Sequence, residues 1–290
     1  MCLMDRHAGA INMVYTSAGN SINNNYNNKG KTMKKFLVML ATSGLLFALG
    51  TAQADSHEGG ELKPASPLEL FACNYAEGKG PADLDKAVDD FNDWADKNDV
   101  TEYSAWTLVP YYASPEQEFD VLWIGGTAKA ATLGRIQDMW LAGGTKEQEG
   151  FNEVIPCNAH ANYATLQFKT PPKRENPNNI VISFTDCNTA EGVTFDDLVP
   201  SLMEWADYRE GHGSTSGMWV LFPAYGGGGE DFDFKFVAAW QNLEEQGADY
   251  DQYNESGWEK ANELFQGKLS CDSSRVYLGT NRRMAESDED

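Results

Sequence analysis

Between residues 68 and 169 the chain alternates short apolar runs with stretches in which large apolar residues recur every three or four positions. Residues 68–74 are rich in β-formers and read as a strand. Leu84, Val88, Phe91 and Trp94 then fall at helical spacing. Residues 103–112 and 119–124, aromatic and β-branched, read as a second and a third strand. Pro110 puts the far end of the second at an edge or a bulge. A weaker helical pattern covers residues 130–141, and residues 162–169 make the last strand. The same order returns downstream. A strand at 180–186 precedes Leu198, Leu202 and Trp205 at helical spacing. Strands follow at 218–225, with Pro223 in the place of Pro110, and at 232–240, then a helix at 250–265 and a strand at 275–280.

Cysteine and tryptophan mark the repetition. From residue 55 onward they read C-W-W-W-W-C twice: Cys73, Trp94, Trp106, Trp123, Trp140 and Cys157, then Cys187, Trp205, Trp219, Trp240, Trp258 and Cys271. Local strings agree, since Cys73-Asn74-Tyr75-Ala76-Glu77-Gly78 matches Cys187-Asn188-Thr189-Ala190-Glu191-Gly192. A fixed period of this kind is the mark of a duplicated unit. The proline-containing residues 170–179 join the copies as a linker.

Each copy has the order β-α-β-β-α-β, the ferredoxin-like arrangement. The predicted class is therefore α+β, with two antiparallel sheets. In such a sheet the first and fourth strands are neighbours, so Cys73 should meet Cys157 and Cys187 should meet Cys271. Each bridge would stabilise its unit by about 3–5 kcal/mol. Helices cover one face of the sheet and leave the other as an apolar patch that needs a partner. On this element order and duplication, over about residues 68–280, the chain resembles the dimeric α/β-barrel superfamily in single-chain form. That resemblance implies two facing sheets around a barrel cavity, and a monomer that is a pseudo-dimer. The competing arrangement is two independent domains joined by the linker.

The amino-terminal part reads as an export signal. Met33-Lys34-Lys35 precedes the apolar run 36–49 and the small residues Ala52 and Ala54, so residues 33–54 form a signal peptide cleaved after Ala54. The Asn-rich residues 1–32 are either a non-native extension ahead of a true start at Met33 or a long disordered leader. Residues 55–67 are expected to be flexible, 68–169 and 180–280 to be the repeats, and 281–290 to be an acidic disordered tail. The leader holds five basic residues and one acidic one, which leaves 17 basic against 43 acidic, a net charge of −26. Such a surface excludes nucleic acid and anionic lipid as partners. The even number of cysteines remaining fits a periplasmic or secreted protein with disulfides, and the mature chain shows no membrane span.

Candidate chemistry is sparse. No cofactor is expected, and no metal either, because the cysteines lack close pairs and His57, His160 and His212 are scattered. Gly226-Gly227-Gly228-Gly229 lacks the Lys and Ser/Thr of a phosphate loop. Strand alternation groups Glu69, Phe71 and Cys73 on one face and Leu68, Leu70 and Ala72 on the other. The cysteine face, the less apolar of the two, is expected to point into the barrel. Carried onto the fourth strands, that face presents Tyr163 and Thr165 in one copy, Arg275 and Tyr277 in the other. Tyr163, Tyr277 and Arg275 are thus candidate cavity groups. Glu77 and Glu191 are candidate carboxylates at its mouth, and Trp106 and Trp219 a candidate aromatic box. The expected function is binding of a small, largely apolar ligand between the repeats. The alternatives are an oxygenase- or isomerase-type enzyme that needs little from cofactors, and an interaction module with a filled barrel.

Overall fold

A computed structural model describes residues 64–115, 117–173 and 178–286. The signal-peptide expectation lies outside the described residues. Strand β1 (Ser66–Cys73) leads to helix α1 (Pro81–Lys97), whose start is set by Pro81 at its first position and by Asp83, whose carboxylate accepts from the Gly80 N–H at 3.0 Å. The helix buries Leu84, Val88, Phe91 and Trp94, the residues whose spacing predicts it. Strands β2 (Ser104–Tyr112) and β3 (Val121–Gly126) follow, then α2 (Ala130–Gly143), α3 (Thr145–Val154) and β4 (Cys157–Lys169). The second half contains β5 (Asn179–Thr189), α4 (Phe195–Gly211), β6 (Gly217–Tyr225), β7 (Phe234–Trp240), α5 (Leu243–Gln252), α6 (Trp258–Phe265), β8 (Leu269–Cys271) and β9 (Arg275–Arg283). Thr194 caps α4 by accepting from Asp197 N–H, and a single π turn (Tyr253–Gly257) joins α5 to α6.

All strand pairs are antiparallel. The order β7-β6-β4-β1-β3-β2-β9-β5 closes on itself because β5 also pairs β7, so eight strands form a barrel and β8 extends the β9 side of β5. The first half contributes the order β4-β1-β3-β2, and the second repeats it with β9-β5-β7-β6. Two seams, β2–β9 and β4–β6, join the halves. Pro110 and Pro223 both lie at these seams, opposite Tyr277 and Tyr163, and each adjoins a register shift. A residue without an N–H tolerates a bulge, where a ladder bond is missing anyway.

Cys73 is bonded to Cys157 and Cys187 to Cys271, as expected. The face they occupy is not the one expected. Cys73 packs with Leu84, Val88, Phe91 and Trp94 under the helices, and Cys187 packs with Leu198, Leu202 and Trp205. Leu68, Leu70 and Ala72 point into the barrel, with Ile182 and Phe184. The aliphatic set of β1 lines the interior, whereas the layer under the first half's helices is rich in aromatic residues. Phe91, for instance, lies against Trp94, Tyr103, Trp123, Trp140 and Phe151.

Several elements differ from their expected extents, among them β4, which starts at Cys157 rather than at 162. Helix α3 occupies a stretch too polar to read as helical, burying little beyond Val154. Helix α5 begins at Leu243, where Asn242 caps it by accepting from Glu245 N–H. Strand β9 runs to Arg283, and Ala285 N–H then donates to Ser104 Oγ at 3.0 Å, so the chain stays attached beyond residue 280.

Candidate functional site

The barrel interior is packed in its middle by Leu108, Ile124, Ile182, Leu221 and Val237. Toward the carboxyl ends of β1 and β2 it opens into a cavity of about 900 Å³, within the range of small-molecule sites. Tyr163, Arg275 and Tyr277 all line it. They are inside although the face that predicts them is the wrong one. Between Ala72 and Cys73 the register on β4 shifts, so Cys73 pairs Cys157 while Leu68 pairs Tyr163. One extra residue on β4 reverses its alternation and brings Tyr163 to the interior. In the second half the break between β8 and β9 has the same effect: Cys187 pairs Cys271, yet Phe184 pairs Arg275 and Ile182 pairs Tyr277.

The cavity's two walls differ in chemistry. Sheet register makes Ala72 and Asp186 counterparts, as it does Leu122 and Lys235, and Leu70 and Phe184. All six line the cavity. At these positions the first half supplies aliphatic side chains and the second a pair of charges with Phe184; the polar groups of the first half's lining, such as Gln117 and Tyr163, are uncharged. Asp186 bridges Lys235 at 2.5 Å and Arg275 at 2.9 Å, and Arg275 also pairs with Asp272. Two cations balance two carboxylates, so the cluster is strongly polar without net charge.

Tyr163 and Tyr277 titrate above the usual phenol range, chiefly because burial disfavours the phenolate. The Asp186 charge adds to this at both, while Arg275 opposes it at Tyr277. At neutral pH each hydroxyl is a donor. Tyr277 donates to Gln117 Oε1 at 3.3 Å, whereas the Tyr163 hydroxyl has no partner among the described residues. Gln117 Nε2 and Thr165 Oγ1 are, unlike that hydroxyl, fully buried, and they lack partners among the described residues. Groups of this kind are costly unless something hydrogen-bonds them.

The remaining candidates do not converge here. Glu77 and Glu191 are exposed and do not line the cavity. Their shared string is a turn: Gly78 and Gly192 have φ of 75° and 81°, a conformation glycine adopts without strain. Trp106 and Trp219 pack against the interior residues but sit near the start of β2 and β6, at the other end of the barrel. Sequence reasoning missed Asp186, Lys235, Asp272 and Gln117. Asp186, the one charged residue of β5, was the available signal.

A second cavity, of about 280 Å³, lies outside the barrel between α2 and the ends of β4 and β6, lined by His160, Gln137, Asn162 and Tyr225 among others. His160 Nε2 is 3.3 Å from the carboxylate of buried Glu69. Among the described residues there is no group of three or more His, Cys, Asp or Glu side chains arranged to hold a metal ion. No helix there is long and apolar enough to cross a membrane.

No family model matches the chain, and a comparison with curated proteins finds no match. Solved structures with a similar fold include a heme-binding protein from Thermus thermophilus, at 7% identity, with a TM-score of 0.45 over 76% of this chain and 92% of that one. Chlorite dismutase from Candidatus Nitrospira defluvii in complex with imidazole aligns at 6% identity and TM-score 0.44, over 74% and 91%. An anthrone oxidase-like protein aligns at 12% identity and TM-score 0.41, over 78% and 96%. The chain is thus similar to chlorite dismutase-like, dimeric α/β-barrel proteins at the level of fold. The expectation of no cofactor is corrected by this comparison, because a heme-binding protein stands among the similar structures. The two cavities themselves suit an iron tetrapyrrole poorly. Among the described residues the larger is lined by no His, Cys or Met, and burial holds the protons on Tyr163 and Tyr277. The smaller has His160 but too little room for the macrocycle.

Proposed function

We propose that the barrel is a duplication of one ferredoxin-like unit, residues 68–169 and 180–280, and that its open end binds a small amphiphile. The difference between the two walls carries this reading. An apolar or aromatic body would lie on Leu70, Ala72 and Leu122, and a polar head would face Arg275 and Lys235. Because the charged cluster is balanced, it favours a dipolar head over a full charge. Because Tyr163 keeps its proton at neutral pH and beside it stand the donors of Arg275 and Lys235, the cavity best suits a head that accepts hydrogen bonds, such as a carbonyl. The same protonation argues against a tyrosine base and so favours binding over the enzyme alternative. The open cavity disfavours the filled-barrel module.

Export supports the same picture. The pattern of residues 33–54 and the two disulfides suit a mature chain beginning at Asp55 in an oxidising compartment. Intact mass after periplasmic expression tests this, and retention of residues 36–49 would refute it.

Binding is tested with prodan, a neutral naphthyl ketone whose emission shifts to the blue in apolar surroundings. Saturable binding is expected in the wild type and should be strongly weakened by Ala72→Trp, which covers the aliphatic side of the cavity. Absence of saturable binding, or binding indifferent to Ala72→Trp, would overturn the proposal.

A further inference from the structure

The smaller cavity contains a polar arrangement that the barrel site does not use. Glu69 is 6% exposed and lies among the helix-side residues of β1. Its Oε1 accepts from the Tyr103 hydroxyl at 2.7 Å, and its Oε2 accepts from Gln137 Nε2 at 2.8 Å and faces His160 Nε2 at 3.3 Å. Tyr103 in turn accepts from Trp123 Nε1 at 3.0 Å. Burial, then the Glu69 charge, pushes the Tyr103 phenol well above its usual range, so it keeps the proton that it donates to the carboxylate. Gly125 makes room for this bond, since a Cβ there would fall 1.8 Å from the Tyr103 hydroxyl.

The fold does not require these groups. In the second half Ser183 stands at the position of Glu69, Thr185 at that of Phe71 and Ser274 at that of His160. There Thr185 and Ser274 simply bond each other at 2.6 Å. A buried carboxylate costs several kcal/mol more to bury than a hydroxyl, so its presence in one half alone calls for a local use.

The His160 ring stacks on Phe71 with centroids 3.7 Å apart, and its side chain is half exposed on the cavity wall. A carboxylate that accepts from Nε2–H fixes that tautomer and leaves a lone pair on Nδ1. Among the described residues Nδ1 has no partner. The rest of the wall combines Pro67, Leu133 and Tyr225 with the amides of Gln137 and Asn162.

We propose that this cavity is a second binding site, taking a small neutral hydrogen-bond donor of the phenol or alcohol class on His160 Nδ1. The ring of such a ligand lies on the apolar wall and its hydroxyl donates to the imidazole. Glu69 is a positioning residue that holds the ring and its tautomer.

Phenol is the probe, followed on 15N-histidine-labelled protein by NMR. The wild type should show His160 with a protonated Nε2 and a bare Nδ1, and phenol should shift the Nδ1 resonance saturably. Anisole, which keeps the ring and loses the donor, should bind at least about tenfold more weakly. His160→Phe, which can still stack on Phe71 but has no His160 resonance, should lose phenol binding at this site as read by calorimetry. Tyr163→Phe should leave it unchanged, which separates this site from the barrel. Equal affinity for anisole and phenol on the wild type would overturn the proposal even if the variant failed to fold. So would a protonated Nδ1, or unaltered phenol binding by a folded His160→Phe.

Discussion

Tyr163 stands opposite Leu68 across β1 and β4, and the pair faces the barrel interior rather than the helices. At the start of β4, Cys157 faces the other way, although strict alternation from Cys157 to Tyr163 would keep them on one side. The shift between Ala72 and Cys73 accounts for the change, and the hydroxyl it delivers is unpartnered among the described residues.

Replacing Tyr163 by Phe should therefore leave stability within about 0.5 kcal/mol of the wild type, because no protein hydrogen bond is lost. Prodan affinity should fall about five- to tenfold, the usual worth of one hydrogen bond. Urea denaturation and fluorescence titration check the two halves of this expectation, and a large loss of stability with unchanged binding would contradict it.

Asp186→Ala would leave Lys235 and Arg275 without their shared carboxylate. We expect a cost of about 1–2 kcal/mol, reduced by partial exposure. The cavity should at the same time gain affinity for an anionic naphthyl sulfonate relative to prodan. Competitive titration of the two dyes measures that reversal.

Tyr103→Phe should be costlier. It strips Glu69 Oε1 of its donor and Trp123 Nε1 of its acceptor in a buried place. About 2–4 kcal/mol of stability should be lost, measured by chemical denaturation. A cost below about 0.5 kcal/mol would mean that the bond is not formed in solution.

Raising the pH tests the buried phenols. Tyr103, Tyr163 and Tyr277 all titrate above the ordinary phenol range when folded, with burial the first cause. Their contribution is fully present below the unfolded value of about 10 and is lost as pH rises through the folded values. Thermal melts should thus weaken above about pH 10, with tyrosinate absorbance appearing in step with unfolding. Early titration of all tyrosines in the native state would refute this.

Non-reducing peptide mapping should recover Cys73 with Cys157 and Cys187 with Cys271. Replacing both members of either pair by Ser should cost about 2–5 kcal/mol. A bridge between the halves would contradict the strand order.

The barrel is legible from the chain because it rests on features visible one residue at a time. Phe91 and Trp94 announce α1, and four cysteines at matching positions announce the pairing of first and fourth strands. The interior is harder. Two opposite errors meet at Tyr163: alternation assigns Cys73 to the interior, and it does not foresee the extra residue on β4, so the right residue is found by the wrong face. Period-two reasoning has no means of detecting a bulge unless Pro or Gly marks it, as Pro110 and Pro223 do at the seams. Asp186 and Lys235 escape because each meets Arg275 or the other only after strands distant in sequence pair. The Glu69–His160 pair escapes for the same reason, being 91 residues apart.

The charged wall opposite an aliphatic one has a consequence for how such a cavity can change. In an assembly of two identical chains, every substitution is copied to both sides of the axis, and an arginine gained on one wall appears on the other. Here Asp186 faces the space with Ala72 as its counterpart, and Lys235 with Leu122. With both halves encoded in one chain, a side of the cavity can be rewritten while its twin is left alone. Handedness in the pocket then becomes available: a ligand bound there would have a front and a back, and one orientation would be favoured over the other.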